Sequence, residues 1–220
     1  MKAKVRNAIS RYFHDNASIF FLLMISLIIG IIAGAFAVVA MASNQKSELY
    51  TYINGFFEAH KTSISSLELF KQIFANYLKL VLLLWFFGAT VLGIPLIVGL
   101  IGFEGFAIGF TVGFIFDVFS SMKGALVIVS SILPQILIVI PCIIILGISG
   151  SKFSIYLLRG GGKRASKSEL KLRFISHSAV SLFAVAASAL GAFIQSLAIP
   201  AFLNIISFNY FMLAQILGQR

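Results

Sequence analysis

Apolar residues run almost unbroken along this chain in stretches of about twenty, long enough to cross a bilayer as helices, with short polar intervals between them. From Trp85 to Pro141 the only charged residues are Glu104, Asp117 and Lys123. Run length predicts spans over 17–41, 77–101, 104–119, 124–150 and 177–199. The second and third are separated only by Gly102 and Phe103, which predicts a short tight hairpin. The expected fold is an all-α polytopic membrane protein, one integral membrane domain over residues 1–220 with about five transmembrane helices.

The polar intervals define what lies outside the spans. Residues 42–76 mix Lys46, Glu48, Glu58, Lys61, Glu68 and Lys71 with aromatic residues. Within them Leu67, Phe70, Phe74 and Tyr77 recur at helical spacing, so this interval reads as an amphipathic loop that rests on the membrane surface or docks a partner. Phe56, Phe57, Phe70 and Phe74 are the candidate docking residues. Residues 151–174 carry Lys152, Arg159, Lys163, Arg164, Lys167, Lys171 and Arg173 against Glu169 alone. The apolar tail 201–220, broken by Asn204, Ser207, Asn209 and Gln215, is either an interfacial helix or a sixth span, and Pro200 is expected to end the fifth.

Composition agrees with the pattern. The chain is 60% hydrophobic and 11% charged, with a mean hydropathy of +1.02, far from the balance of a soluble domain. The net charge of +10 is concentrated at Lys2 to Arg11 and Lys152 to Arg173. Basic clusters beside spans read as cytoplasmic anchors on anionic lipid rather than as a nucleic-acid surface. The N-terminus and the 151–174 loop are therefore expected in the cytoplasm, and 42–76 on the far side. The run from Ile19 to Met41 is roughly 23 residues, longer than the apolar core of a secretory signal, and reads as a retained span.

Within the spans, Gly105, Gly109 and Gly113 fall on one helical face, where a neighbouring backbone can approach closely. Pro95, Pro134 and Pro141 remove backbone donors at membrane depth, so these helices are expected to face protein on at least one side. Pro134 and Gln135 form the polar midspan candidate, the Gln135 amide needing a partner on a freed carbonyl or another helix. Glu104 and Asp117 bracket the third predicted span and read as capping or interfacial groups, with an ion pathway as the sharper alternative.

Catalytic chemistry finds little support. His14, His60 and His177 belong to no recognisable set of metal ligands, and HExxH, GxSxG and CxxC are missing. Gly160-Gly161-Gly162 lacks the strand and the GK[ST] of a phosphate loop, and Cys142, the single cysteine, can form no intramolecular disulfide. No catalytic residue, cofactor or metal is expected.

The chain resembles the stage II sporulation protein M family of endospore-forming bacteria. The resemblance rests on Trp85-x-x-Gly88, the Gly93-Ile94-Pro95 turn, the run Gly105 to Phe114, and the segment from Leu133-Pro134-Gln135 to Ile140-Pro141, and it extends more loosely from the first span to Pro200. Glu104 stands where the family usually has a basic residue, and Ile136 where it usually has asparagine. The resemblance implies a five-span scaffold in the septal and engulfing membranes of a sporulating cell. There it would act with the membrane-anchored cell-wall hydrolases known as stage II sporulation proteins D and P, which thin septal peptidoglycan and drive engulfment of the forespore.

Two functions follow. The leading one is a non-enzymatic membrane scaffold that positions such hydrolases through residues 42–76 and its glycine packing face. The alternative is a permease subunit of a transporter for a lipid or wall precursor, using Gln135 and Glu104. Both allow a homo-oligomer associating through the glycine face.

Overall fold

A computed structural model of the chain describes residues 16–49, 51, 66–118, 135–159 and 167–217, and of 118, 135, 167 and 199–217 only the backbone. The described residues are helical nearly throughout, as an apolar chain must be where no water is present to satisfy peptide groups. They form α1 (Ala17–Ala40), α2 (Ser66–Gly88), α3 (Gly93–Val118), a π-helical turn (Gln135–Val139) leading into α4 (Ile140–Leu158), and α5 (Lys167–Leu217). Five segments are long and apolar enough to cross a membrane, so the protein is an all-α polytopic membrane protein.

α4 is the most enclosed helix, buried on most sides, whereas α1 buries one stripe and leaves the rest of its surface exposed. In α1 the buried residues are Leu23, Leu27, Gly30, Gly34 and Val38, three or four apart, whereas Phe21, Phe36 and Val39 are exposed. The core joins Leu23 and Leu27 to Val81 and Leu84 of α2, Ile97 and Ile101 of α3, and Ile143 and Leu146 of α4.

The hairpin between the second and third spans turns at residues 89–92, not at Gly102 and Phe103, which lie inside α3. Ala89 N–H donates to the Trp85 carbonyl at 3.1 Å, Thr90 N–H to Phe87 at 3.0 Å, and Gly93 N–H to Thr90 at 3.2 Å. Pro95 fits because it is the third residue of α3, where its missing N–H has no intrahelical acceptor to lose. α2 accordingly begins at Ser66, taking in the second half of the predicted far-side loop, and the third span is a full 26-residue helix. The predicted 151–174 loop is shorter at both ends, since α4 continues to Leu158 and α5 begins at Lys167.

α5 runs through Pro200, where the sequence predicted an end. A proline removes only its own N–H, and within a membrane bundle the freed carbonyl is readily satisfied by side chains, water or neighbouring helices. The predicted tail is thus a continuation of α5 as far as Leu217.

α1 and α3 run parallel with their backbones in contact. A Cβ on Gly30 would strike the Gly102 carbonyl, one on Gly34 that of Phe106, one on Gly105 that of Leu27, and one on Gly109 that of Ile31. Glycines on both helices therefore face each other's main chain, and Ser26 Oγ donates across the seam to the Val98 carbonyl at 2.8 Å. The two ends of the bundle differ in charge. Gly88 packs on Gly150 and His177, and Ser154 Oγ donates to the Val91 carbonyl at 3.1 Å. These contacts place the 89–92 turn, the end of α4 and the start of α5 together, with Lys152, Arg159, Lys171 and Arg173 around them. We call this the basic end.

Candidate functional site

At the basic end the polar side chains converge on His177, which is 1% exposed. Its Nε2 lies 3.2 Å from the Trp85 carbonyl, and a carbonyl only accepts, so Nε2 carries the proton. Nδ1 is then free to accept from Ser149 Oγ at 3.2 Å. Trp85 Nε1 donates in turn to Ser178 Oγ at 3.1 Å. The Phe153 ring stacks on the imidazole at a centroid distance of 6.0 Å, and Phe174 packs against both Trp85 and Phe153. The result ties α2, α4 and α5 together through one imidazole.

Halfway along the bundle is a second polar cluster. Glu104 is eleven residues into α3, about 16 Å from Gly93 along the helix axis, and so lies near midspan, not at a helix start as its sequence position suggested. The capping role falls away because the turn is at 89–92. Glu104 is within electrostatic reach of Tyr77, whose hydroxyl donates to Gln195 Oε1 at 2.7 Å. Tyr77 and Gln195 thus join α2 to α5 where the surroundings are otherwise apolar. A carboxylate at this depth is tolerated only where neighbouring helices solvate it.

The opposite end is held by an ion pair. Lys46, on a short helix over 43–49, donates from Nζ to Asp117 Oδ1 at 2.9 Å, with the two side chains 27% and 41% exposed. Asp117 therefore anchors the segment that follows α1. Beyond it the start of α2 exposes Glu68, Lys71 and Gln72.

The residues singled out from the sequence are distributed as follows. Gly105, Gly109 and Gly113 all face α1, the first two in backbone contact, whereas a Cβ added at Gly113 would lie at an ordinary 3.4 Å from Ala35 Cα. That face is occupied within the chain, which removes it as a surface for self-association. Phe70 and Phe74 stack on each other with centroids 5.7 Å apart, and Phe70 meets Phe193 edge-on at 6.4 Å. Both pack against the core, so they hold α2 to α5 rather than standing free for a partner. Phe56, Phe57 and Pro134 lie outside the described residues. Gln135 opens the π-helical turn that leads into α4. Among the described residues no three His, Cys, Asp or Glu side chains gather as metal ligands. The links of His177 to Trp85 and of Tyr77 to Gln195 had no signal in the sequence, because the partners are about a hundred residues apart and share no spacing.

Comparison with known proteins gives one match. No curated protein and no solved structure resembles the chain closely enough to match, but the family model described as stage II sporulation protein M covers residues 18–202. That interval begins in the first turn of α1 and ends just past Pro200, taking in every described helix that crosses the bundle. The chain belongs to the stage II sporulation protein M family and is a sporulation-associated, multi-pass membrane protein.

Proposed function

We propose that this protein is a non-enzymatic scaffold that positions membrane-anchored peptidoglycan hydrolases at the sporulation septum, with the basic end in the cytoplasm and the 43–49 end outside. The observation that carries the reading is that the polar groups inside the bundle join helix to helix. Ser26 reaches Val98, Tyr77 reaches Gln195, Trp85 reaches Ser178, and His177 reaches Ser149 and Trp85. Ser149 and His177 have the contact of a hydroxyl and a general base, yet Phe153 stacks on the ring, and Ser149 lies within α4, where peptide N–H groups are already engaged and offer no oxyanion site. Cations at the basic end agree with the rule that cytoplasmic segments are rich in Lys and Arg.

On this reading the outward surface for stage II sporulation proteins D and P is the helix 43–49 with Glu68, Lys71 and Gln72, not Phe70 and Phe74. A photocrosslinking amino acid placed at Ser47 or Gln72 in sporulating cells should capture a hydrolase, and one at lipid-facing Phe21 should not. Deletion of the gene should arrest engulfment with a flat or bulging septum and mislocalised hydrolases. No hydrolase captured at either position, together with normal engulfment after deletion, would overturn the reading.

Glu104 favours a second reading, a permease subunit for a lipid or wall precursor, because intramembrane carboxylates commonly serve transport. It requires that a Gln135→Leu, Glu104→Gln double variant lose function; a fully active double variant excludes it.

A further inference from the structure

The basic end contains a cavity of about 350 Å³ lined by Lys152, Ile155, Tyr156, Arg159 and Arg173. A smaller space of about 180 Å³ shares Lys152 and Arg173 and continues along Ser149, Ser176 and His177. The larger volume is at the lower end of what small-ligand sites occupy, roughly 300–1,000 Å³. Three of its five lining side chains are cations, and the acid nearest them, Glu169, is engaged with Arg173 at 3.0 Å. Arg173 is also held in place by the Tyr156 ring, its guanidinium carbon 4.3 Å from the centroid. A guanidinium fixed on two sides is pre-organised to bind a phosphate oxygen.

A second observation points to a ligand. The Tyr156 hydroxyl is shielded from solvent and has no hydrogen-bond partner among the described residues. A buried hydroxyl is costly to leave unmade, and an acceptor in the cavity it lines would satisfy it. The neighbouring surface indicates what else the ligand carries. Leu158 and Leu172, at the adjoining ends of α4 and α5, are 57% and 69% exposed, and Ile175 is exposed one turn further along α5. A molecule with a phosphate at the cavity and hydrocarbon beside it meets both surfaces.

We propose that this cavity binds the headgroup of an anionic phospholipid, with Arg173, Arg159 and Lys152 facing the phosphodiester, the Tyr156 hydroxyl donating to it, and the acyl chains lying along Leu158, Leu172 and Ile175. The site is independent of any hydrolase partner. It differs from general attraction of basic residues to a membrane in having a defined volume and a specific donor.

The test uses the full chain in a neutral detergent, titrated with phosphatidylglycerol or phosphatidylcholine of the same acyl chains and read by native mass spectrometry. One phosphatidylglycerol should be retained on the order of tenfold more tightly than phosphatidylcholine. Arg173→Gln should weaken retention by about the same factor, and Tyr156→Phe by several-fold, because each removes a donor to a charged acceptor. Lys171→Gln, an exposed cation at the same end that does not line the cavity, should leave it unchanged. Tyr156→Phe keeps the ring under Arg173 and so stands if Arg173→Gln fails to fold. Competition by an equal concentration of glycerol 3-phosphate would keep the phosphate site and assign it to a soluble ester. Equal retention of both lipids by the unaltered protein, or retention unaffected by Tyr156→Phe and Arg159→Gln, would overturn the proposal.

Discussion

His177 Nε2 and the Trp85 carbonyl, 3.2 Å apart, join α5 to the last turn of α2 at the point where the chain turns into α3. The ring is nearly inaccessible and its other nitrogen faces Ser149. Replacement with alanine removes both bonds and opens a cavity beside Phe153. His177→Ala should cost about 2–4 kcal/mol of stability, whereas Ser178→Ala, which removes only the Trp85 indole's acceptor, should cost about 1 kcal/mol. Reversible unfolding in mixed micelles measures both, and equal, negligible effects would show that the cluster does not hold the bundle.

The seam between α1 and α3 predicts a graded series. Gly34→Ala and Gly109→Ala place a methyl group against a backbone carbonyl that cannot move without parting the helices, and each should destabilise by about 2 kcal/mol or more. Gly113→Ala adds only an ordinary van der Waals contact, and Gly99→Ala meets no atom within 4 Å. Both should stay within about 0.5 kcal/mol of the unaltered protein. A flat series would mean the two helices are not in backbone contact.

This seam also shows what the sequence could and could not reveal. The fourfold recurrence of Gly105, Gly109 and Gly113 was visible, because a small-residue stripe is a local property of one helix. Its partner was not, because nothing in the sequence connects that stripe to Gly30 and Gly34, about seventy residues earlier. The five spans were legible from apolar run length alone. The hairpin tip was not, because a charge at Glu104 after Gly102 and Phe103 looks like a loop. Glu104 nonetheless lies eleven residues inside α3, because the turn comes earlier, at residues 89–92. Pro95 misled in the opposite sense, resembling a break in a span when it sits in the first turn of a new one.

At midspan, Tyr77 and Gln195 should be energetically coupled. A double-mutant cycle with Tyr77→Phe and Gln195→Ala should give a coupling near 0.6 kcal/mol and no more than about 1.7, the range found for hydrogen bonds between membrane helices. A coupling indistinguishable from zero would mean that the 2.7 Å contact contributes nothing to holding α2 against α5.

The Lys46–Asp117 pair is partly solvated, and its contribution to global stability should be below about 1 kcal/mol. Its effect is local. Asp117→Asn should release the 43–49 helix, seen as faster amide exchange over those residues with the rest of the bundle unchanged, and raised salt should do the same in the unaltered protein. Unchanged exchange would mean that the segment is held by other contacts.

Sidedness can be read with a membrane-impermeant maleimide after Cys142, the single native cysteine, is replaced by serine. Gln72→Cys should react in intact cells and Lys171→Cys only after permeabilisation, as the distribution of cations requires. The reverse pattern would invert the topology and put the proposed docking surface in the cytoplasm.

The glycine seam has a consequence for synthesis. α1 enters the bilayer well before α3 is made, since about fifty residues separate Ala40 from Gly93 and translation proceeds at roughly 5–20 residues per second. Until then the notch at Gly30 and Gly34 is filled only by lipid tails, and the two notched surfaces of neighbouring nascent chains are free to meet each other. Biogenesis therefore passes through an interval of seconds in which α1 can pair with the wrong helix, and nonsense products ending before Gly93 would leave that helix permanently without its mate.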